Sequence, residues 1–355
     1  MVRVLTIICW VVTAIVLLGL AIWFFTGRGF GIGAGRLFSG VEALTGPFEI
    51  VGDYNISANN IDSLYIDWVE GSVTVIPYNG SDIRITESAR RELRDDEVLA
   101  YSTSGSLLTI KFSIRNNWVG FHPAKQLDIY VPRELCENFE SFTIDSASGG
   151  VKADNVNAQS FKIDSVSGKI DLTGITAKTF KAESTSGAIT MVAVNVDSMT
   201  VDSVSGTVNV NDSGAGTFKC GTTSGAINIS GDFASVDVDS ISGKITLYNS
   251  ALTSGLTAGS TSGSIDATGS FGTVKLNSVS GSLTMISYIV PSSLKAETTA
   301  GSITVTVPDG ETVTVSHSSV SGKLNSEIPI ITQSRNAQFN FSTVSGGVKI
   351  LPLQQ

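Results

Sequence analysis

The chain has 355 residues, 42% of them hydrophobic and 15% charged, with 36 glycines and a formal net charge of −9. That length allows a large core, and the composition is neither that of a disordered acidic chain nor the basic footprint that nucleic acid requires. Cys9, Cys136 and Cys220 have no metal-ligand spacing and do not suggest a disulfide framework.

In chain order, the first element is an uncharged apolar run from Val4 to Phe25. At about 1.5 Å per residue it is long enough to cross the hydrocarbon layer. Trp23, Phe24 and Phe25 close it like an interfacial belt. Residues 1–26 are therefore predicted to be a transmembrane anchor. A signal peptide, whose apolar core spans about 7–15 residues, is the alternative, with Gly33-Ala34-Gly35 open to cleavage. Arg3 on one side nearly balances Arg28 and Arg36 on the other, so the positive-inside rule does not decide orientation. The Ser/Thr/Gly/Asn-rich remainder points to an extracytoplasmic domain on a single-pass membrane protein. Residues 27–50 read as a Gly-rich linker. Gly27, Gly29, Gly31, Gly33 and Gly35 follow a membrane segment rather than a strand, which argues against a phosphate loop.

Residues 51–355 are predicted to be one all-β domain, irregular over 51–140 and regular over 141–350. Leu64, Ile66, Val69, Gly71, Val73 and Val75 open it, and Val98 to Leu107 reads as a second early copy of the same pattern. Between them lies the charged stretch Arg90–Asp96, read as a solvated loop because its charges nearly cancel. A second insertion, Arg115 to Lys125, carries Trp118, Phe121 and His122. These are the candidate interaction loop, with capping of a core end as the plainer reading.

The regular part repeats the cassette Asp164-Ser165-Val166-Ser167-Gly168-Lys169-Ile170. Counting from its Gly, apolar residues stand at minus seven (Phe142, Phe161, Phe180, Met199, Phe218), minus five (Ile144, Ile163, Val201) and plus two (Val151, Ile170, Ile189, Val208). A fixed period of about 20 residues with alternating polarity marks stacked strands, each copy burying its face on its neighbours. The prediction is a single-stranded, right-handed β-helix-like solenoid of about 19–20 residues per turn. Minus two reads as inward with the even positions, so the change of phase, and with it a corner, falls at the Asp-Ser pair. Val or Ile at minus two accompanies large residues at minus five, and Thr accompanies small ones. That pattern reads as conserved volume within a copy, or as two copies per turn, with one copy per turn preferred. The cassette Gly either leaves no room for a side chain or adopts a positive φ.

The anchor, Ile66-Asp67-Trp68-Val69-Glu70-Gly71-Ser72-Val73, Leu127-Asp128-Ile129-Tyr130-Val131-Pro132 and the serial Ser-x-Ser-Gly cassettes together resemble a bacterial family. It is the putative-adhesin domain family, a domain of unknown function similar to the head GIN domain. The resemblance covers roughly residues 50 to 350. It implies a β-helix-like solenoid and envelope association, and brings no catalytic residues.

The polar residues nominate no catalytic set, cofactor or metal site. Asp145, Asp164, Glu183, Asp202 and Asp239 form an acidic ladder interrupted by Gly221, with Lys162 and Lys181 two positions earlier to relieve it. They read as corner formers rather than calcium ligands. His317 falls at an inward position of a late copy, and the serine rows (Ser165/Ser167, Ser184/Ser186, Ser203/Ser205) read as corner hydrogen-bonders rather than a ligand array. A nucleophile should be singular, and these are not. The expectation is a non-enzymatic, membrane-anchored envelope protein acting in adhesion or surface interaction. Its partners would be the membrane and a glycan, cell-wall or protein ligand, with weak self-association through open coil ends and no nucleic acid. A cytoplasmic envelope-stress regulator or scaffold and a β-helix polysaccharide-processing enzyme are the alternatives.

Overall fold

Side chains that alternate apolar and polar can bury one face only if another strand covers it, and a repeating chain supplies that strand from its own next copy. The computed structural model describes residues 46–113, 123–331 and 337–353. The predicted anchor, most of the linker and the Trp118, Phe121, His122 loop lie outside the described residues. Among the described residues no helix is long and apolar enough to cross a membrane. The one α-helix described is the single turn Arg133–Cys136.

The domain is all-β and solenoid-like. Asn157–Ser165 pairs in parallel with Thr176–Ser184, and Ile170–Thr173 with Ile189–Val192. Phe161 lies opposite Phe180 and Ile170 opposite Ile189, so each copy makes one turn, or rung, and not half of one. Inward residues of successive rungs stack on themselves. The rings of Phe142 and Phe161 are 4.8 Å apart and 9° from parallel, those of Phe161 and Phe180 5.5 Å and 11°. Met199 and Phe218 continue the column. Ile170, Ile189 and Val208 are fully buried. A further inward column, Val156, Ile175 and Val194, was not anticipated.

The corner differs from expectation. Minus three, not minus two, faces inward: Ser146, Ser165, Ser184 and Ser203 are buried, whereas Val166 is 54% exposed. The phase therefore changes between minus three and the Gly, one step later than predicted. Volume conservation within the core is not what pairs Val166 with Ile163, since Val166 is outside it. The serines, rather than the aspartates, make the bend. Gly168 N–H donates to Ser165 Oγ (3.1 Å), and Gly206 N–H to Ser203 Oγ (2.9 Å). Ser167 Oγ donates to the Ala147 carbonyl of the preceding rung (3.2 Å) and Ser186 Oγ to that of Val166 (3.1 Å). The first two bonds satisfy the Gly N–H that the bend takes out of the ladder, and Ser186 Oγ adds a second bond to a carbonyl that also accepts the Ser186 N–H (3.0 Å).

The cassette Gly is required for space. A Cβ on Gly187 would stand 1.8 Å from the Gly168 carbonyl oxygen. Another corner, six residues after the Gly in four consecutive rungs, passes through the left-handed region instead: Asn155, Gly174, Ala193 and Asp212 have φ of 52°, 64°, 54° and 48°.

At both ends spatial order departs from chain order. Val98 to Leu107 is not a rung. Ala100–Ser104 folds back on Leu107–Lys111 as an antiparallel hairpin, with Gly105 at φ +60° in the turn. The true outermost rung consists of Leu107–Lys111 and Lys125–Pro132. The first rung in sequence, Ser63–Glu70 with Val73–Tyr78, lies between it and the rung Phe139–Ser148 with Val151–Asp154. At the far end Gln338–Thr343 and Val348–Leu353 are inserted inside Thr314–Ser319 and Leu324–Ser326, which end the stack. His317 is half-buried in that last rung.

Asp82–Ala89 pairs antiparallel with Lys125–Pro132, and Glu49–Ser57 with Asp82–Ala89, closing the first end. Lys125 occupies the glycine column there, next to Gly71. It is fully buried, with Nζ 2.6 Å from Oε1 of the equally buried Glu87. It also donates to the carbonyls of Glu97 (2.7 Å) and Phe112, and lies 3.9 Å from the centroid of the Phe112 ring. Burial pushes its pKa down. Such a pair gains little over apolar packing, but loss of either partner strands the other charge. The charged stretch folds onto the same spot: Arg91 and Arg94 clamp Glu97 at 2.8 and 2.7 Å, the Arg91 hydrogen bond above all holding its carboxyl down at about 2.

Two substitutions test the corners by urea denaturation. Gly187→Ala should lower stability by roughly 3 kcal/mol or more, because backbone must move to admit the methyl group. Ala193→Gly should raise it by about 1 kcal/mol, by relieving a left-handed conformation at a site that packs little.

Candidate functional site

Because the phase changes after the serine, the residues on either side of it, at minus four and minus two, both face outward across a concave bend. Repeated along the stack, the bend becomes a groove of about 730 Å³ running from Asp67 and Val69 to Thr223 and Asp239. One wall is the acidic ladder, with Asp145, Asp164, Glu183 and Asp202 in register on neighbouring rungs. Gly221 follows in the gap before Asp239, as the sequence indicates. The other wall is the minus-two ridge of Val69, Ala147, Val166, Thr185, Val204 and Thr223.

The carboxylates lie within strands; Asp145, Asp164 and Glu183 are held by side chains, and Asp202 by the backbone N–H of Gly221 on the next rung. Lys181 pairs with Glu183 at 2.8 Å and Lys162 with Asp164, as the two-residue offset predicts. The hydrogen bond to Asp164 raises the Lys162 pKa. Tyr65 Oη donates to Asp145 Oδ2 (2.8 Å); burial first, then this bond, raises the phenol's pKa. Burial pushes the carboxyl of Asp67 up, and the neighbouring Asp145 adds to it. Asp202 is raised in the same way, by burial and then by Glu183. Oδ1 of Asp145 and Oδ1 of Asp164 have no hydrogen-bond partner. The groove therefore sets a row of carboxylates, two of them paired with lysine, beside an aliphatic edge that is exposed at Val166.

Of the residues singled out in the sequence, the structure brings together the acidic ladder and the serine rows. The serines are engaged in the corner, and Trp118, Phe121 and His122 lie outside the described residues. His317 sits in the last rung of the stack. Cys136 and Cys220 are free and buried, and burial pushes the Cys136 thiol up to about 12, far from a thiolate nucleophile. Among the described residues no group of three or more His, Cys, Asp or Glu could hold a metal ion. The reading missed the minus-two ridge as a surface. The signal was present, because a position that exchanges Val for Thr on alternate copies does not behave as core.

Asp202→Asn gives a signed test of the groove's electrostatics. A raised folded-state pKa means that the ionised carboxylate costs stability at neutral pH and that the cost fades as pH falls toward the unfolded value of 3.8. The variant should unfold at higher urea than the parent at pH 7, and at the same urea below pH 3.8.

The sequence matches the Toastrack DUF4097 family over residues 61–234 and 232–350. No curated protein matches it. Among solved structures it is similar to a putative adhesin from Bacteroides fragilis, at 12% identity and a TM-score of 0.33, over 86% of this chain and 97% of that one. It is also similar to a putative lipid binding protein from Parabacteroides distasonis, at 13% identity and a TM-score of 0.35, over 86% and 97%. A putative cell adhesion protein from Clostridium sporogenes matches at 10% identity and a TM-score of 0.24, over 86% of this chain and 100% of that one. With the family pattern running almost unbroken from residue 61 to residue 350, the chain belongs to the Toastrack DUF4097 family.

Proposed function

We propose that this protein is a non-enzymatic, membrane-anchored scaffold that presents its solenoid outside the cell for adhesion or surface interaction. The observation that carries the reading is the groove: its outward side chains recur at equivalent positions on consecutive rungs. Turnover calls for one convergent constellation, whereas equivalent sites in a row suit many weak contacts to an extended partner. The apolar run Val4–Phe25 supplies the anchor in this reading, and the coil is right-handed, as parallel β crossovers are. Names borne by structurally similar proteins, two of them adhesins or adhesion proteins, point the same way.

Protease treatment of intact cells producing the full-length chain tests the topology, and attachment of those cells to glycan-, cell-wall- and protein-coated surfaces tests the role. The expected outcome is cleavage of the solenoid in intact cells and loss of attachment when the chain is deleted. Protection from protease, or unchanged attachment, would overturn the proposal.

A further inference from the structure

The two walls of the groove repeat on different periods, and the difference selects an occupant. We infer that the groove holds an extended basic polypeptide in polyproline II form, with a lysine or arginine at every third residue; this rests on the binding-scaffold reading above. The acidic wall offers Asp145, Asp164, Glu183 and Asp202 one per rung, with rungs about 4.8 Å apart. The facing ridge alternates over two rungs, Val166 and Val204 against Thr185 and Thr223, a repeat of about 9.6 Å. A polyproline II chain advances about 9.3 Å per three-residue turn. One of its faces therefore stays in step with the ridge along the groove. A β-strand repeats a face about every 6.8 Å and drifts out of step within two rungs.

Charge and surface chemistry agree with that occupant. The carboxyls of Asp67 and Asp202 are each pushed up by burial and by a neighbouring carboxylate on the next rung, and a cation placed between the rungs offsets that repulsion. The valine edge takes prolyl rings or the methylene stem of a lysine. An amino-sugar polymer would carry similar charge, but its rings pack on exposed aromatic faces. Among the described residues lining the groove Trp68 is the sole aromatic, and it is 1% exposed.

The test is fluorescence anisotropy with the full-length chain in neutral detergent. The probe is a labelled peptide of Lys-Pro-Pro triplets about ten residues long, matched to about 29 Å of groove. Comparison ligands are an alternating Lys-Thr peptide of equal charge and a chitosan oligomer. The Lys-Pro-Pro peptide should bind at least about tenfold more tightly than either, and the Asp164→Asn/Asp202→Asn double variant should lose about tenfold or more. Val204→Lys, a change at a half-buried ridge position outside the buried columns, should abolish binding. Absence of saturable binding, equal affinity for the alternating peptide, tighter binding of chitosan, or indifference to these substitutions would overturn the inference. Cells carrying Val204→Lys separate the two readings: peptide binding by the parent that this change abolishes upholds the groove assignment whether or not those cells still attach, and peptide binding that survives the change removes it while leaving the adhesion role standing. If the deletion strain attaches normally while the peptide still binds the groove, only the adhesion role falls.

Discussion

The close approach of successive backbones at the serine–glycine corner is the constraint on which the rest of this structure depends. Each rung's cassette carbonyl fills the space that the next rung's Cβ would need, as at Gly168 and Gly187. Strands can hold their parallel spacing through the bend only if that position stays bare, which is why the glycine recurs while the residues around it vary. The inward serine is part of the same solution. Its hydroxyl accepts the glycine N–H inside the rung, and the outward serine donates to the preceding rung. A bend that would otherwise strand polar groups in a parallel stack is thereby hydrogen-bonded.

A stack of identical turns has no natural end, and its last strands expose an unpaired edge. Both ends of this one break the rule that consecutive copies are neighbours in space. At the first end the chain leaves after one rung, builds the antiparallel strands Asp82–Ala89 and Ala100–Ser104, and returns on the outside. Lys125 then stands where every inner rung has glycine, its stem filling the opening and its ammonium held by Glu87 and two carbonyls. The same position that forbids a side chain inside the stack demands a long one at its end, because no further backbone approaches there.

The groove follows from the corner rather than from any residue added for binding. The outward positions on either side of the inward serine form the two walls of a trough, and stacking extends the trough along the axis. Its chemistry is then set by whatever occupies minus four and minus two. Lysines at minus six offset part of the ladder, as with Lys162 and Lys181, while Asp202 belongs to a rung that has Thr200 at that position. The result is a graded acidic wall, charged enough to attract a cation and paired enough to remain folded.

Period, strand content and the buried Phe–Ile columns were legible in the sequence because they depend on local alternation, which a stack simply repeats. The pairing of Lys162 with Asp164 was legible for the same reason, being fixed by two residues on one strand face. The sequence alone also placed the glycine as indispensable, without deciding between crowding and positive φ; only the neighbouring rung's carbonyl decides that in the inner stack. Whether Val166 faces in or out turns on a one-residue change of phase at the corner, and both phases satisfy a local pattern. The exchange of rungs at the ends, and the burial of Lys125 against Glu87, depend on contacts between segments distant in sequence, where no local period exists to be read. The acidic groove belongs to that second class: its residues were all in view, but the bend that makes them one surface exists only once the rungs are stacked.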